Sequence, residues 1–472
     1  MSRPPLAPHQ AAGIEAIHSA GRLLLGDEPG LGKSRTAIES FDGGDVLVVA
    51  PAMVISGGTW KDELELWADH PEKFVVVPYT QLNARNGNTP NFGTKKYPKY
   101  KVRPEYDRAW DAMILDESHY IKGRSTSWTV AATQIGKKSG AVLPMTGTPM
   151  PNWAHELFTV LQLLHPSEAK PGGRFGAYQR WVNQWFMRLH NPYGGGTPGS
   201  ELIGGLLLCG NRPECMNRPA TDPCEHWKEF TAENLGERFL RRLRDDVLKD
   251  LPPMTETDIF TPMDATQRRM YKELKKDYLT TTEDGEEIIA WTNGAKNVML
   301  DRITTSAWFM DPKGEPRGGK LDRLQWDLEA RSAPTLVLAH YRDSVEACGR
   351  VAERAGARVR VVHGATSDRA RGAAVADFKQ GRADVLVGSL ETLAEGLTLT
   401  VADMAIFVEK SYKPSRNEQA KRRVHRMGQT RPVTILDYIT PDSVDFNKRE
   451  LLARKTDQQM RVLSAAQFGR LL

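Results

Sequence analysis

The chain has 472 residues, enough for two to four domains at roughly 100–200 residues each. Hydrophobic residues make up 40% and charged residues 26%, a globular composition that excludes wholesale disorder and collagen-like structure. Lys plus Arg number 64 against 59 Asp plus Glu, and the net charge of +5 excludes a purely electrostatic, histone-like binder while leaving room for a local basic groove.

No run of about 18 apolar residues occurs, so no transmembrane helix is expected. Met1-Ser2-Arg3-Pro4-Pro5 lacks the apolar core of a secretory signal. Four cysteines in so long a chain do not make a disulfide framework, and a cytoplasmic protein is the simpler expectation.

Taken in chain order, short apolar runs at 22–25, 46–50, 74–78, 112–115 and 141–145 are each followed by Gly, Pro or acidic residues. They predict buried parallel strands alternating with helices. The Gly-, Asn-, Pro- and Lys-rich stretch 83–104 reads as an exposed basic excursion. The pattern breaks from about 166 to 235, which reads as an insertion. Residues 236–250 and 265–280 read as charged helical segments. A second strand series is expected at 335–340, 358–362, 383–387, 404–408 and 433–438. The fold class is therefore α/β with two parallel-sheet lobes, at 1–165 and 319–472. The insertion 166–235 and a region 236–318 that ends the first lobe and links it to the second lie between them.

The most informative stretch is Gly26-Asp27-Glu28-Pro29-Gly30-Leu31-Gly32-Lys33-Ser34, between a predicted strand and a helix. Gly30 and Gly32 let the backbone wrap close enough for its N–H groups to face phosphates. Lys33 supplies a cation for the β- and γ-phosphates, and the Ser34 hydroxyl can ligate Mg²⁺. Asp27 stands where the strict form of this motif has its first glycine. A nucleotide loop needs a metal-holding carboxylate on a neighbouring strand, and Asp116-Glu117-Ser118-His119 follows the run 112–115. Asp116 would hold the metal and Glu117 would orient or deprotonate the attacking water. Thr146 and Thr148 follow the next strand, where their hydroxyls can sense the γ-phosphate through the two carboxylates. Gln10, upstream of the loop, has an amide that donates and accepts at once, which suits an adenine edge.

These motifs resemble the superfamily 2 helicase-like ATPases, and within them the SNF2-type double-stranded DNA translocases. Gln419-Ala420-Lys421-Arg422-Arg423-Val424-His425-Arg426-Met427-Gly428-Gln429 is similar to the last motif of that group. The stretch from Arg238 to Pro253 is similar to its linking signature, and Gly396-Leu397-Thr398-Leu399-Thr400 to its motif five. The likeness covers nearly the whole chain apart from roughly 166–235. It implies two RecA-like lobes with a helical linking segment, ATP and Mg²⁺ as cofactors, and DNA, in duplex form, as partner. It puts Gln10 near adenine, Gly30, Gly32 and Lys33 on phosphates, Ser34 and Asp116 at Mg²⁺, and Glu117 at the water. It gives His119, Thr146, Thr148, Gly396 and Gln419 to the coupling of hydrolysis to DNA. Arg423 and Arg426 would reach across the cleft between the lobes; three apart, they would share a helix face. Two departures stand out: Pro29 occupies the family's usual methionine position, and Leu393-Ala394-Glu395 replaces a small-Gly-Gly stretch, so motif-five DNA contacts do not carry over in detail. The likeness leans to the annealing-helicase branch and its phage and bacterial relatives, which implies a prokaryotic or phage-infected cytoplasm.

Cys209, Cys215, Cys224 and His226 offer three thiolates and an imidazole, a donor set for structural Zn²⁺. Their spacing is not the usual C-x₂₋₄-C, and free cysteines with a surface histidine are the other reading. Basic residues recur at Lys95, Lys96, Lys99, Lys101 and Arg103, at Lys122 and Arg124, and at Arg268, Arg269, Lys272, Lys275 and Lys276. Distributed cations of this kind bind phosphates without reading sequence. The expected activity is that of a DNA-stimulated ATPase motor. An RNA or single-stranded DNA helicase, or a nucleotide-switch protein without motor activity, are the alternatives.

Overall fold

The computed structural model describes residues 3–56, 58–84, 101–147, 149–150, 154–189, 202–207, 209, 213–216, 222–247, 251–282, 284–310, 312, 314–393, 399–426 and 428–468. The chain divides into two compact units, Met1–Lys249 together with Lys455–Leu472, and Asp250–Arg454.

Unit 1 is built on a six-stranded parallel sheet in the order Phe239–Leu240, Leu24–Leu25, Ala141–Met145, Ala112–Asp116, Val46–Ala50, Phe74–Pro78. The run Val46–Ala50 is buried along its whole length, as a central parallel strand covered on both faces must be. Its alternate residues enter two cores. Leu47 and Val49 pack with Val77, Met113 and Leu115 on one face. Val46, Val48 and Ala50 pack with Ile114, Met145, Ile38 and Trp60 on the other. The first core continues into Phe158, Trp181, Trp185, Phe186, Trp227 and Phe230. The ends of the stretch read as an insertion thus share the sheet's own core. Edge-on aromatic pairs hold them there, such as Trp185 with Phe230 at 5.2 Å and Phe186 with Phe230 at 5.5 Å.

Parallel strands place all their carboxyl ends at one edge of a sheet. Leu25 and Asp116 both register with Met145. The loops beginning at Gly26, Glu117 and Thr146 are therefore gathered side by side.

Residues 236–247 are not the continuous helix that their charge pattern suggests, and 248–250 lie outside the described residues. Phe239–Leu240 is a strand beside Leu24–Leu25, followed by the short helix Arg244–Val247. Phe239 is buried, and Arg241 Nη1 donates to the Gly26 carbonyl at 2.9 Å, so tertiary pairing overrides the local preference. The segment 265–280 does contain a helix, Ala265–Asp277, capped by the Asp264 side chain on the Gln267 N–H.

Unit 2 repeats the design in the order Met254–Phe260, Val433–Ile439, Met404–Phe407, Thr335–Ala339, Val385–Ser389, Val359–Val362, again all parallel. Its helices are fastened to the sheet by buried charges. Lys320 Nζ pairs with Asp445 at 2.8 Å and donates to the Val408 carbonyl at 2.7 Å. Lys448 pairs with Asp301 at 2.6 Å. Glu409 accepts from Thr305, Ser344 and the His340 and Tyr341 N–H groups. The last helix, Val444–Phe468, begins in unit 2, and its residues from Lys455 count with unit 1. Among the described residues no helix is long and apolar enough to cross a membrane.

Candidate nucleotide site

The loop after Leu25 turns through Gly30 (φ 93°) and Gly32 (φ 74°) into the helix Lys33–Phe41. Both values lie in the left-handed region, which glycine enters without strain. A Cβ on Gly32 would also strike the Gln10 amide. Gln10 is buried, accepts from the Ala7 N–H at 3.1 Å and lies 3.4 Å from the Gly32 carbonyl. The structure thus brings Gln10 onto the glycine loop.

Lys33 is half-buried, and its Nζ donates to the carbonyls of Asp27 (2.7 Å) and Glu28 (3.3 Å). Its pKa is lowered: burial outweighs the opposing pull of Glu117, Asp27 and Asp116. These are the charges the ammonium senses most, so the loop cation and both carboxylates form one electrostatic site. Ser34 is the second residue of the helix.

Asp116 ends its strand, with Oδ2 accepting from Trp60 Nε1 at 2.9 Å and Oδ1 from the Glu117 N–H at 3.0 Å. The Tyr79 hydroxyl donates to its carbonyl at 2.8 Å. Burial, then the Glu117 charge, pushes the Asp116 carboxyl up to about 6. Glu117 has φ 48° and ψ 54°, an uncommon left-handed conformation for a residue with a side chain. Its Oε2 accepts from Thr146 Oγ1 at 2.9 Å and lies 3.2 Å from His119 Nδ1. Burial works against its charge, but His119, Lys33 and Thr146 outweigh it and hold the carboxyl down at about 2. Two adjacent carboxyls are thereby pushed apart in acidity, as in sites that divide two roles between two acids. His119 Nδ1 is 3.3 Å from the hydroxyl of Thr146, so His119, Thr146 and Glu117 form one contact group.

Thr148 and Gly396 lie outside the described residues. Gly147 packs on the phosphate loop: a Cβ there would be 2.6 Å from the Pro29 ring. The residue that departs from the family pattern thus packs against the loop after the strand Ala141–Met145.

In unit 2, Gln419 is buried on the helix Pro414–Val424, with Arg416 Nη1 donating to its Oε1 at 3.3 Å. The shared helix face expected for Arg423 and Arg426 is corrected by the structure. The helix ends at Val424, and His425 leaves the helical conformation at φ −94°, ψ 89°. His425 Nε2 lies 2.8 Å from the Pro252 carbonyl. The two arginines remain neighbours in the chain, one on the helix and one beyond it. Arg426 has a pKa lowered by burial.

One pair escaped the sequence. Asp27, 1% exposed, takes the Arg242 guanidinium (Nε to both oxygens at 3.0 Å, and Nη2) and the Arg242 N–H at 2.9 Å. Arg241 pairs with Glu28 at 3.4 Å, and the Arg244 N–H donates to Glu28 at 3.0 Å. Aspartate at the first-glycine position is therefore the anchor of the segment that leads out of unit 1. The one available signal was an acidic pair in the loop and an arginine run far along the chain.

Cys209, Cys215, Cys224 and His226 do converge, with their donor atoms within 4.8 Å of one another. Of the basic stretch, residues 85–100 lie outside the described residues. Arg124 stacks on the Tyr178 ring, 3.5 Å from its centroid, and Lys122 pairs with Glu156 at 3.1 Å.

Two parallel-sheet units with a glycine phosphate loop and an Asp-Glu strand end define a helicase-like ATPase. A model of the SNF2-related domain matches residues 14–303, and one of the helicase conserved C-terminal domain matches 319–428. The chain belongs to the SNF2-related family, the SNF2-type ATPases of superfamily 2. It is 27% identical to the human DNA annealing helicase and endonuclease ZRANB3, over 96% of this chain and 40% of that one. It is 26% identical to the SWI/SNF chromatin-remodeling complex subunit snf22 of Schizosaccharomyces pombe, over 94% and 27%. The chain thus spans less than half the length of these relatives. The Sulfolobus solfataricus SWI2/SNF2 ATPase core, solved in complex with dsDNA, aligns with 100% of this chain and 96% of that one at 19% identity and a TM-score of 0.40.

Proposed function

We propose that this chain is an ATP-driven translocase on DNA, in duplex form, that moves without reading sequence. The observation that carries the reading is the single electrostatic site of Lys33, Asp116 and Glu117, with Thr146 and His119 gripping the second carboxylate.

The donor set suits ATP with Mg²⁺: a serine hydroxyl at a helix start and a strand-end carboxylate whose two oxygens are oriented by Trp60 and a backbone N–H. Ser34 and Asp116 would hold the metal, which neutralises phosphate charge when bound. Lys33 now rests on two loop carbonyls and would exchange them for phosphate oxygens. Glu117, held ionised, orients the attacking water and takes its proton. Gln10 would read adenine from its place on Gly32. His119, Thr146, Thr148, Gly396 and Gln419 are assigned to coupling, and Arg423 and Arg426 to the charge on the transferred phosphoryl group. We assign Cys209, Cys215, Cys224 and His226 to a structural Zn²⁺.

The relatives' names support DNA as the track. Displacement of a third strand from a DNA triplex tests translocation. Release that requires ATP and fails in Glu117→Gln is expected. No ATP-dependent release from triplex, with unwinding of RNA or forked DNA instead, would transfer the reading to a strand-separating helicase. ATP binding without turnover would leave a nucleotide switch.

A further inference from the structure

Cys209 follows the strand Leu202–Leu206, Cys215 sits in the short helix Pro213–Met216, and Cys224 stands just before the helix Glu225–Asn234, whose first turn carries His226. All three thiols are free and buried. Cys209 and Cys224 sulfurs are 3.5 Å apart, and His226 Nδ1 lies 3.7, 3.4 and 3.7 Å from the sulfurs of Cys209, Cys215 and Cys224. Bonds of about 2.3 Å to sulfur and about 2.0–2.1 Å to nitrogen give a zinc tetrahedron edges of about 3.5–3.8 Å. These four distances lie close to that figure, all four donors lie within 4.8 Å of one another, and three thiols with an imidazole suit a structural rather than a catalytic metal.

The C-terminal helix reaches the same cluster. Arg461, on the helix Val444–Phe468, is 8% exposed and donates Nη1 to the Cys215 carbonyl at 3.1 Å. Asp457 holds the same guanidinium at 2.7 and 3.2 Å. Val462 and Leu463 lie in the apolar cluster that also holds Cys209, Cys215, Cys224, Trp227 and Phe230. The four-residue helix bearing Cys215 is too short to hold itself in water. Something must fix the carbonyl that Arg461 reads, and the ligand set is the device at hand.

We propose that the zinc-held knuckle at Cys209, Cys215, Cys224 and His226 is the seat of the C-terminal helix, so that metal loading decides whether residues 455–468 stay docked on unit 1. This rests on the zinc assignment above and goes beyond it. The chain passes between the units twice, after Lys249 and after Arg454. The metal governs the second passage. Loss of zinc, through chelation or oxidation of the thiols by a peroxide, would free that end while leaving the nucleotide loop's own contacts unchanged.

The test is hydrogen exchange of the full-length protein, read in peptides covering 455–468, alongside metal analysis by mass spectrometry. Zinc near one per chain is expected in the untreated protein. Arg461→Ala should keep its zinc yet exchange at least about tenfold faster in those peptides, as for loss of a docked element. Cys224→Ser should lose the zinc and show the same acceleration, with the strands Thr335–Ala339 and Met404–Phe407 still protected. Zinc present in the untreated protein and lost in Cys224→Ser, with 455–468 unmoved in both variants, would overturn the docking inference and leave the zinc assignment standing. A protein from zinc-supplemented cells that holds no zinc, or holds iron instead, would overturn the assignment and the inference together.

Discussion

Lys33 spends its hydrogen bonds on the carbonyls of Asp27 and Glu28, contacts that phosphate oxygens can replace without moving the helix it starts. Lys33→Ala is expected to lower kcat for ATP hydrolysis by roughly 10²–10³, the usual loss for one oriented charge-stabilising group. Glu117→Gln should lower it by roughly 10²–10⁴ while ATP still binds, measured by single-turnover hydrolysis beside nucleotide titration. A variant of Glu117 with normal turnover would remove that residue from the water's side. Arg242 makes a different prediction. Its partner Asp27 is 1% exposed, so Arg242→Ala strands a buried carboxylate and should cost about 3–5 kcal/mol of unit 1 stability. Adding Asp27→Asn should restore part of that loss in a double-mutant cycle.

At the scale of elements, the loops at the carboxyl edge of the unit 1 sheet work by touching one another. Gly147 meets the Pro29 ring with no room for a methyl group. Gly147→Ala should push the phosphate loop aside and raise KM for ATP, with a cost of about 1–3 kcal/mol from overpacking. An unchanged KM would show that Pro29 yields freely. The short helix Ala154–Leu157 carries His155, whose Nδ1 is buried with no partner among the described residues. Burial, the largest cause, holds its pKa down at about 4 against an ordinary 6.5. The folded state therefore favours neutral imidazole. That stability is full above about pH 6.5 and falls as pH drops toward 4, by on the order of a few kcal/mol. Denaturant midpoints against pH should fall more steeply for the wild type than for His155→Gln.

These elements also show what a sequence reveals. Val46–Ala50, Thr335–Ala339 and their neighbours were legible because a strand covered on both faces is nearly continuous in apolar residues. Met254–Phe260 was missed because four consecutive polar residues, Thr255 to Asp258, interrupt it and it stays mostly exposed at a sheet edge. Phe239–Leu240 is two residues long and lies among arginines, so only its partner strand identifies it. The Asp27–Arg242 pair spans 215 residues of sequence, beyond any local pattern. The cysteine cluster was legible from donor type alone, since its spacing is irregular and the fold brings the donors together.

For the whole molecule, two sheets of the same design carry complementary halves of one proposed machine: the nucleotide loop and carboxylates in unit 1, the arginines in unit 2. The modest net charge of +5 is compatible with a DNA track, because phosphate contacts need distributed cations rather than a large total. On the proposed function, DNA drives the ATPase. The steady-state ATPase rate of the intact chain, compared without polymer and with duplex DNA, single-stranded DNA or RNA, tests it most directly. Duplex DNA is predicted to raise the rate at least about tenfold, equal to lowering the barrier by about 1.4 kcal/mol. A rate indifferent to every polymer, or raised by RNA alone, would contradict the account.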